Sequence, residues 1–553
     1  MKYTLGLDFG TESARAVLVD MASGETVATA VHPYTDGVID DALPGSGLEL
    51  PPDWALQNSS DWLSALETTI AAVLHESGAE PNSIIGIGID FTASTVLPTT
   101  IDGTPLGTLD AFRERPHAWA KLWKHHAAQP QADRVNQLAA AREEPWLARY
   151  GGKISSEWLI PKALQMLEEA PEVYGAADTL VEGGDWIVWQ LTGNLARNTS
   201  AAGYKATWHK GDGYPSIEFL SALHSDLAGL YTKKLRGPVV PPGQKVGELL
   251  PAWAARLGLT PGMAVAAPTI DAHAAVPGGG VNRAGILLMS MGTSTSHMLM
   301  AENELLVEGI AGVVEDGIVP GFFGYEAGQA GVGDIFAWFV EQGVPPEYHR
   351  EAERRGRSLH DVLSAAAAGL RPGESGLLAL DWWNGNRSTL MDADLSGLLL
   401  GSTLATKAEE IYRALIEATA FGTRVIIDAF TEQGVSVDSI VTGGGLTTNE
   451  LLMQIYADVT GREMRVAGAR QVSALGAAML GAVAAGPEIG GYSSLTKAVD
   501  QLAPQPAQVY RPDEEHRSLY DTLYGEYRRL YDYFGRGDNE VMKVLRRLRR
   551  STE

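Results

Sequence analysis

The chain has 553 residues, 45% hydrophobic and 20% charged, enough for several packed cores and unlike either a miniature scaffold or a disordered chain. Its 43 basic and 68 acidic residues leave a net charge of -25, which repels nucleic acid and anionic membrane. It has no cysteine, so disulfides, thiolate metal sites, cysteine nucleophiles and iron–sulfur ligation are excluded, and a reducing, cytoplasmic compartment is the expectation.

The N-terminus holds one basic residue and no apolar run of signal-peptide length, and no later stretch is long and apolar enough to read as a membrane span. From Tyr3 to Phe9 apolar residues alternate with Thr4, Gly6 and Asp8, the period of a strand, and Gly10 to Ser13 form a polar turn into a second strand, Ala14 to Val19. Ile84 to Phe91 reads as another buried strand, ending at Asp90 and Thr92 where a loop must begin. Segments 61–77, 131–149 and 157–169 have helical spacing, so strands and helices alternate as in an α/β protein. After a Pro/Gly-rich stretch ending near residue 282 the pattern restarts. Ile286 to Met291 is a strand, Gly292 to Thr295 a polar turn and Ser296 to Met300 a returning strand, predicting two related halves with a cleft between them. A long helix is expected over 405–430, then a strand running into Gly443-Gly444-Gly445 and a helix over 449–460. The segment 514–534 predicts a helix that packs through Leu519, Leu523, Tyr527, Leu530, Tyr531 and Phe534. The basic run Lys543, Arg546, Arg547, Arg549 and Arg550 reads as a solvated face or an oligomer contact.

Glycines beside threonines on tight turns let several backbone N–H groups converge on one phosphate. One Gly-Thr turn signifies little, but two at matching places in the halves, Gly10-Thr11 and Gly292-Thr293, plus a triple glycine between strand and helix, point to a nucleotide. No G-x-x-x-x-G-K-[ST] sequence occurs, which removes the P-loop class. Asp271 precedes Ala-His-Ala-Ala, and by itself reads as a helix N-cap. Lys205 and Glu326, taken alone, read as surface residues, and the pair His125-His126 lacks a spaced third ligand for a metal.

LGLDFGTESARA (5–16), MSMGTSTSH (289–297) and VTGGGLTTNELLMQIYADVTGREM (441–464) resemble the two phosphate motifs and the adenosine motif of the FGGY carbohydrate kinases, relatives of actin and the heat-shock ATPases. PKALQMLEEAPEVYGAADTLVEGGDWIVWQLTGN (161–194) is similar to a segment of that family's N-terminal domain which the actin-like and chaperone relatives lack. The resemblance spans nearly the whole chain. It implies an α/β fold of two ribonuclease-H-like (actin-like ATPase) domains, 1–282 and 283–553, flanking an active-site cleft. Within the family, KLWKHHAAQ (121–129), YGGKISSEWLIPK (150–162), SAAGYKATWHKGDGYPS (200–216) and GYEAGQAGVGD (324–334) resemble the branch that acts on L-ribulose. Many members carry a Trp-x-Asp-x-Arg type pattern where this chain has Trp123-Lys124-His125-His126, a departure that argues against xylulose or glycerol.

The resemblance thus implies transfer of phosphate from ATP to O5 of L-ribulose, in L-arabinose catabolism, with D-ribulose, ribitol or another ketopentose or pentitol as the alternative acceptor. It makes Asp271 the base and gives the β- and γ-phosphates to Gly10, Thr11, Gly292, Thr293 and Ser294. Adenosine falls to Gly444, Gly445 and Asn449, and the sugar to Ala93, Lys205, Asp271 and Glu326. Asp8 is expected to face Mg²⁺ through water, since magnesium keeps most of its hydration. The partners implied are a small sugar and ATP, with neither nucleic acid nor membrane. A homodimer is compatible with the family, though no interface is legible. An ATP-driven binding protein would need a peptide-binding module or polymer interface, and none is visible; a sensor without catalysis would be expected to lack Asp271.

Overall fold

The computed structural model describes residues 1–550. Strand β1 (Tyr3–Phe9) turns Leu5, Leu7 and Phe9 into a core shared with helix α1 (Ser59–Ser77), whose Trp62, Leu66, Ile70 and Val73 recur at helical spacing. Its other face carries Thr4, Gly6 and Asp8. Strands β2 (Ser13–Asp20) and β3 (Thr26–Pro33) continue an antiparallel meander, while β4 (Ile84–Phe91) lies parallel to β1 on its far side. There Ile87, Ile89 and Phe91 join the same core, leaving Gly86, Gly88 and Asp90 on the opposite face. With β5 (Lys245–Glu248) and β6 (Ala264–Ala266) the sheet order is β5-β6-β4-β1-β2-β3. Helices α2 (Leu159–Glu169) and α3 (Thr199–Ala206) belong to an inserted layer, and α4 (Asp271–Gly278) leads out of the first half.

The second half repeats this plan. Its strands are β7 (Ile286–Met291), β8 (Thr295–Ala301), β9 (Gly312–Glu315), β10 (Phe323–Gln329), β11 (Ser439–Gly443), β12 (Met464–Val466) and β13 (Gln508–Tyr510), ordered β9-β10-β8-β7-β11-β12-β13. Pair for pair the two sheets agree in sense: β1/β2 and β7/β8 are antiparallel, β1/β4 and β7/β11 parallel, β4/β6 and β11/β12 parallel. Strand β9 is an addition at the edge. In both hairpin turns the glycine N–H donates forward within the turn, Gly10 to Ser13 O (3.0 Å) and Gly292, one residue tighter, to Ser294 O (2.9 Å).

The helices of this half include α5 (Gly333–Gln342), α6 (Ala408–Glu432), α7 (Glu450–Thr460), α8 (Val472–Ala485), α9 (Glu514–Gly535) and α10 (Val541–Arg550). Helix α8 comes late in the sequence yet lies across the glycine face of β1 and β4. A Cβ placed on Gly6, Gly86 or Gly88 would overlap backbone atoms of Ala474, Ala477 or Gly481, and Thr4 Oγ1 donates to Ala478 O (2.8 Å). Gly476 of α8 and Gly278 of α4 meet in the same way, so small residues bring the two halves into backbone contact. A shared core runs through this seam, including Val17, Ile85, Leu288, Met298, Leu475 and Met479.

Two expectations need correction. The segment 131–149 is a helix over Gln129–Ala141 followed by 3₁₀ turns over Pro145–Tyr150, because Pro145 cannot donate within a continuing helix. Helix α9 packs through Tyr527, Tyr531, Leu523, Leu530 and Phe534 as expected, but Leu519 is exposed and Tyr520 and Tyr524 are buried in addition, with tyrosine hydroxyls donating to acceptors such as the buried Asp381 and the partly buried Asp428. Of the C-terminal basic run, Lys543 pairs with Asp392 and Arg546 donates to Ala393 O, whereas the side chain of Arg550 lies outside the described residues. Among the described residues no helix is long and apolar enough to cross a membrane.

Candidate active site

The faces that carry glycine under α8 end in carboxylates. In the parallel register of β1 and β4, Asp8 stands directly beside Asp90. Asp90 is fully buried, and neither carboxylate oxygen has a protein hydrogen-bond partner. Burial pushes its carboxyl well above the ordinary aspartate range, and the charges of Asp8 and Asp271 push the same way. Asp8 is paired with Arg15 across the hairpin at 3.1 Å. Asp271 opens α4, where Ile270 is the N-cap residue; its Oδ1 accepts from the adjacent Ala272 N–H at 2.7 Å, so Asp271 stands in the first helical turn and does not cap the helix. Burial, then the Asp8 charge, raises its carboxyl to about 7.

Two residues further along α4, His273 shares a hydrogen bond with Ser200 Oγ (2.7 Å) and lies 3.8 Å from Glu326. Glu326 on β10 accepts from Lys205 Nζ of α3 at 2.8 Å and from Arg387 at 3.4 Å. Lys205 and Glu326 are 5% and 8% exposed, so both are interior groups, contrary to the surface reading that composition alone suggests. Burial would raise Glu326, but Lys205, with His273 and Arg387, outweighs it and holds the carboxyl at about 2. This is therefore a charged pair set into one wall of a cleft. A cavity of about 660 Å³ is lined by Lys205, Glu326, Arg387, Trp123, Thr293 and Ser294, bringing the buried pair and the second hairpin turn to one space. Trp123 ties in the first hairpin, its indole N–H donating to Thr11 Oγ1 at 3.1 Å.

The turn Gly292–Ser294 is seated on the start of α5: Val332 N–H donates to Thr293 O (2.8 Å) and Gly333 N–H to Gly292 O (3.1 Å). Gly333 also borders a second cavity, of about 950 Å³, lined further by Gly445, Leu446, Asn449, Ser364 and Tyr412. Gly444, which leads into it, has φ 98° and packs so closely on Met291 that a Cβ would overlap the Met291 carbonyl oxygen. Asn449 caps α7 by accepting from Leu452 N–H and donates its amide to Ser364 Oγ at 3.0 Å. Ala93 sits in the loop just after β4, partly buried. His125 is a packing residue, bonded to Gln165 Oε1 at 2.8 Å and edge-on to Trp54, while His126 borders the cleft.

Residues that sequence reasoning did not single out also meet here. Arg387 comes from a stretch without any motif, and no signal marks it. Asp90 was legible only as a strand end. Lys162 lies in the family-like segment 161–194; its buried ammonium donates to the carbonyls of Ser94 (2.6 Å) and Leu122 (2.8 Å). Glu182, partly buried, accepts from Thr95 N–H at 2.9 Å. Among the described residues no three His, Asp or Glu side chains converge as a ready metal cage.

Two duplicated sheets, one glycine-threonine hairpin lining a cleft with the other bonded to it through Trp123, and a charged pair in the cleft wall define a two-domain nucleotide-dependent phosphotransferase. The chain belongs to the FGGY family of carbohydrate kinases: the family's N-terminal domain matches residues 3–278 and its C-terminal domain residues 287–485. It is 56% identical over 546 residues to a ribulokinase of Geobacillus thermodenitrificans, covering 99% of this chain and 97% of the relative. It is 48% identical to a ribulokinase of Mycolicibacterium smegmatis, covering 100% of this chain and 97% of that one. The fold is that of a xylulose kinase from Rhodospirillum rubrum, with TM-score 0.77, 22% identity and coverage of 96% of this chain and 98% of that one.

Proposed function

We propose that the chain is a ribulokinase, transferring the γ-phosphoryl group of ATP to O5 of L-ribulose to give L-ribulose 5-phosphate and ADP. The observation that carries this reading is the Lys205–Glu326 pair opening into the same cleft as Thr293 and Ser294, in a chain about half identical, end to end, to proteins named ribulokinase. A charged donor beside a charged acceptor suits a polyhydroxylated substrate, because each sugar hydroxyl can donate and accept. In this reading Ala93, Lys205, Glu326 and Asp271 hold the sugar, and Asp271 takes the O5 proton as the new O–P bond forms and the bond to the β,γ-bridging oxygen breaks. Gly10, Thr11, Gly292, Thr293 and Ser294 hold the phosphates, while Gly444, Gly445 and Asn449 border the adenosine. The halves 1–282 and 283–553 act as the two jaws of the cleft.

The residues present fit a hydrated Mg²⁺ bound with the nucleotide. Asp8, ion-paired with Arg15, stands beside Asp90, whose two buried oxygens have no protein donor, so water held by the ion can supply the missing hydrogen bonds. When bound, magnesium neutralises the phosphate oxygens. Asp8 orients its water shell, and Arg15 keeps Asp8 in place. The same reading sets the protein in the cytoplasm, within L-arabinose catabolism, and is compatible with a homodimer.

ADP release with MgATP and either L-ribulose, D-ribulose, L- or D-xylulose, ribitol, glycerol or no sugar tests the reading. Strong L-ribulose-dependent turnover that collapses in Asp271→Asn is the expected result. Preference for another polyol would transfer the assignment to that substrate, and turnover without sugar, or none with any, would overturn it.

A further inference from the structure

The loop that carries Ala93 is held by a buried lysine and a partly buried glutamate acting on the two ends of one peptide group. The carbonyl of Ser94 accepts from the Lys162 ammonium at 2.6 Å, and the N–H of the same peptide, that of Thr95, donates to Glu182 Oε2 at 2.9 Å. Lys162 is 1% exposed and spends its remaining donors on the carbonyls of Leu122 (2.8 Å) and Lys121 (3.3 Å). The Lys121–Leu122 backbone leads directly to Trp123, whose indole bonds Thr11. One ammonium therefore ties the loop after β4 to the segment that contacts the first hairpin.

The peptide so held belongs to a residue in an unfavoured conformation. Ser94 has φ 53°, in the left-handed region where a Cβ is strained, and its hydroxyl is buried without a hydrogen-bond partner. The Ser94 side chain makes no bond that holds this conformation, and the Thr95 hydroxyl, which bonds Thr92 Oγ1 at 2.9 Å, closes the turn around it without contacting the Ser94–Thr95 peptide itself. The dipole of the Ser94–Thr95 peptide, negative at its oxygen and positive at its N–H, lies between Lys162 and Glu182 in the orientation that both charges favour. Charge-assisted hydrogen bonds in a dry interior are the strong ones, and a pair of them on one peptide fixes its plane.

We infer that Lys162 and Glu182 form a clamp that imposes the strained backbone of Ser94, and thereby positions Ala93 and Trp123 for recognition of the sugar. The inference rests on the reading of this cleft as a sugar site. Neither residue touches the substrate, so both are positioning residues. Their loss raises the KM for the sugar well above any change in the KM for ATP, because the cavity bordered by Gly445 and Asn449 is in the other half of the molecule and only the Trp123–Thr11 bond links the clamp to the phosphate side.

The test compares Lys162→Met, Glu182→Gln, Ser94→Gly and the double variant Ser94→Gly/Lys162→Met by steady-state ADP release, with melting temperatures measured alongside. Lys162→Met is expected to raise the sugar KM about tenfold or more with the ATP KM within about twofold, and Glu182→Gln to shift it in the same direction. Glycine adopts the left-handed backbone without a clamp. Ser94→Gly in the Lys162→Met background is therefore expected to recover part of the lost sugar affinity, which a purely structural lysine would not allow. If Lys162→Met does not fold, Glu182→Gln carries the test, and an unchanged sugar KM in it overturns the clamp. A lowered melting temperature with unchanged sugar KM in Lys162→Met also overturns it. Sugar-independent turnover by the unaltered protein overturns the sugar-site reading and the clamp together, whereas normal sugar dependence with unshifted variants overturns the clamp alone.

Discussion

A carboxylate that accepts a proton near neutral pH must be a weaker acid than free aspartate, and burial beside Asp8 makes Asp271 one, with its carboxyl raised to about 7. Sugar-dependent kcat/KM should therefore rise with pH through that region, as the base loses its proton. Asp271→Asn should remove the dependence and lower kcat by about 10²- to 10⁴-fold, the usual contribution of a general base. Isothermal titration should show ADP binding unchanged in that variant. The second residue-scale prediction concerns Glu326, held at about 2 by Lys205 against the pull of burial. Lys205→Met leaves an ionised Glu326 in the interior with His273 and the half-exposed Arg387 as its remaining neighbours, a loss of about 3–5 kcal/mol for a broken buried pair. Because the folded pKa is depressed, the stabilisation is present above 4.5 and lost as pH falls toward 2. Thermal melts should accordingly show the gap between the two proteins narrowing as the solution is acidified.

Elements, unlike single residues, show their origin in patterning. The alternation that makes β1 and β4 strands also sorts each into an aliphatic face and a face of glycine ending in aspartate, and both faces were legible in Leu5–Asp8 and Ile85–Asp90. What covers the glycine face was not. Helix α8 is mostly alanine, glycine and small aliphatic residues with no polar side, since it is buried all round, and a helix without an amphipathic stripe does not announce its docking partner. The seam gives a paired prediction. Gly88→Ala sets a Cβ against the backbone of Ala477 and Gly481, so the helix must shift, and the cost should reach about 1–3 kcal/mol as in overpacked cores. Gly525→Ala, exposed in the middle of α9 with open space at its Cβ, should stabilise by about 0.5–1 kcal/mol. Urea midpoints of the two variants read both effects, and a neutral Gly88→Ala would mean that the seam yields.

At the scale of the molecule the duplication was visible as two Gly-Thr turns 282 positions apart, and the sheets repeat pair for pair. The cleft wall was less visible because Arg387 arrives from a loop whose sequence has no period, and because burial of Lys205 and Glu326 is a tertiary fact. The interior as a whole also sets how stability responds to acid. His117 and His125 are held neutral by burial down to about 2, His297 to about 3 and His273 to about 4. An unfolded chain protonates each near 6.5, so these groups favour the unfolded state progressively as pH falls below 6.5, each by up to about 1.4 kcal/mol per pH unit. Buried acids oppose them. Asp271, raised to about 7, and Asp185, raised to about 6, take protons in the folded state first and gain stability until pH reaches the unfolded aspartate range near 3.8. The two effects overlap between about 6.5 and 4, where the two acids offset part of the pull of the four histidines, whereas below about 4 the acids are protonated in both states and His117, His125 and His297 act unopposed. Urea midpoints should therefore fall gently across that interval and more steeply beneath it. Replacing one histidine tilts the balance in a known direction: relative to the unaltered protein, His297→Gln should gain stability steadily as pH falls from 6.5. A pH-independent difference between the two would mean that His297 protonates as readily in the folded interior as in the unfolded chain.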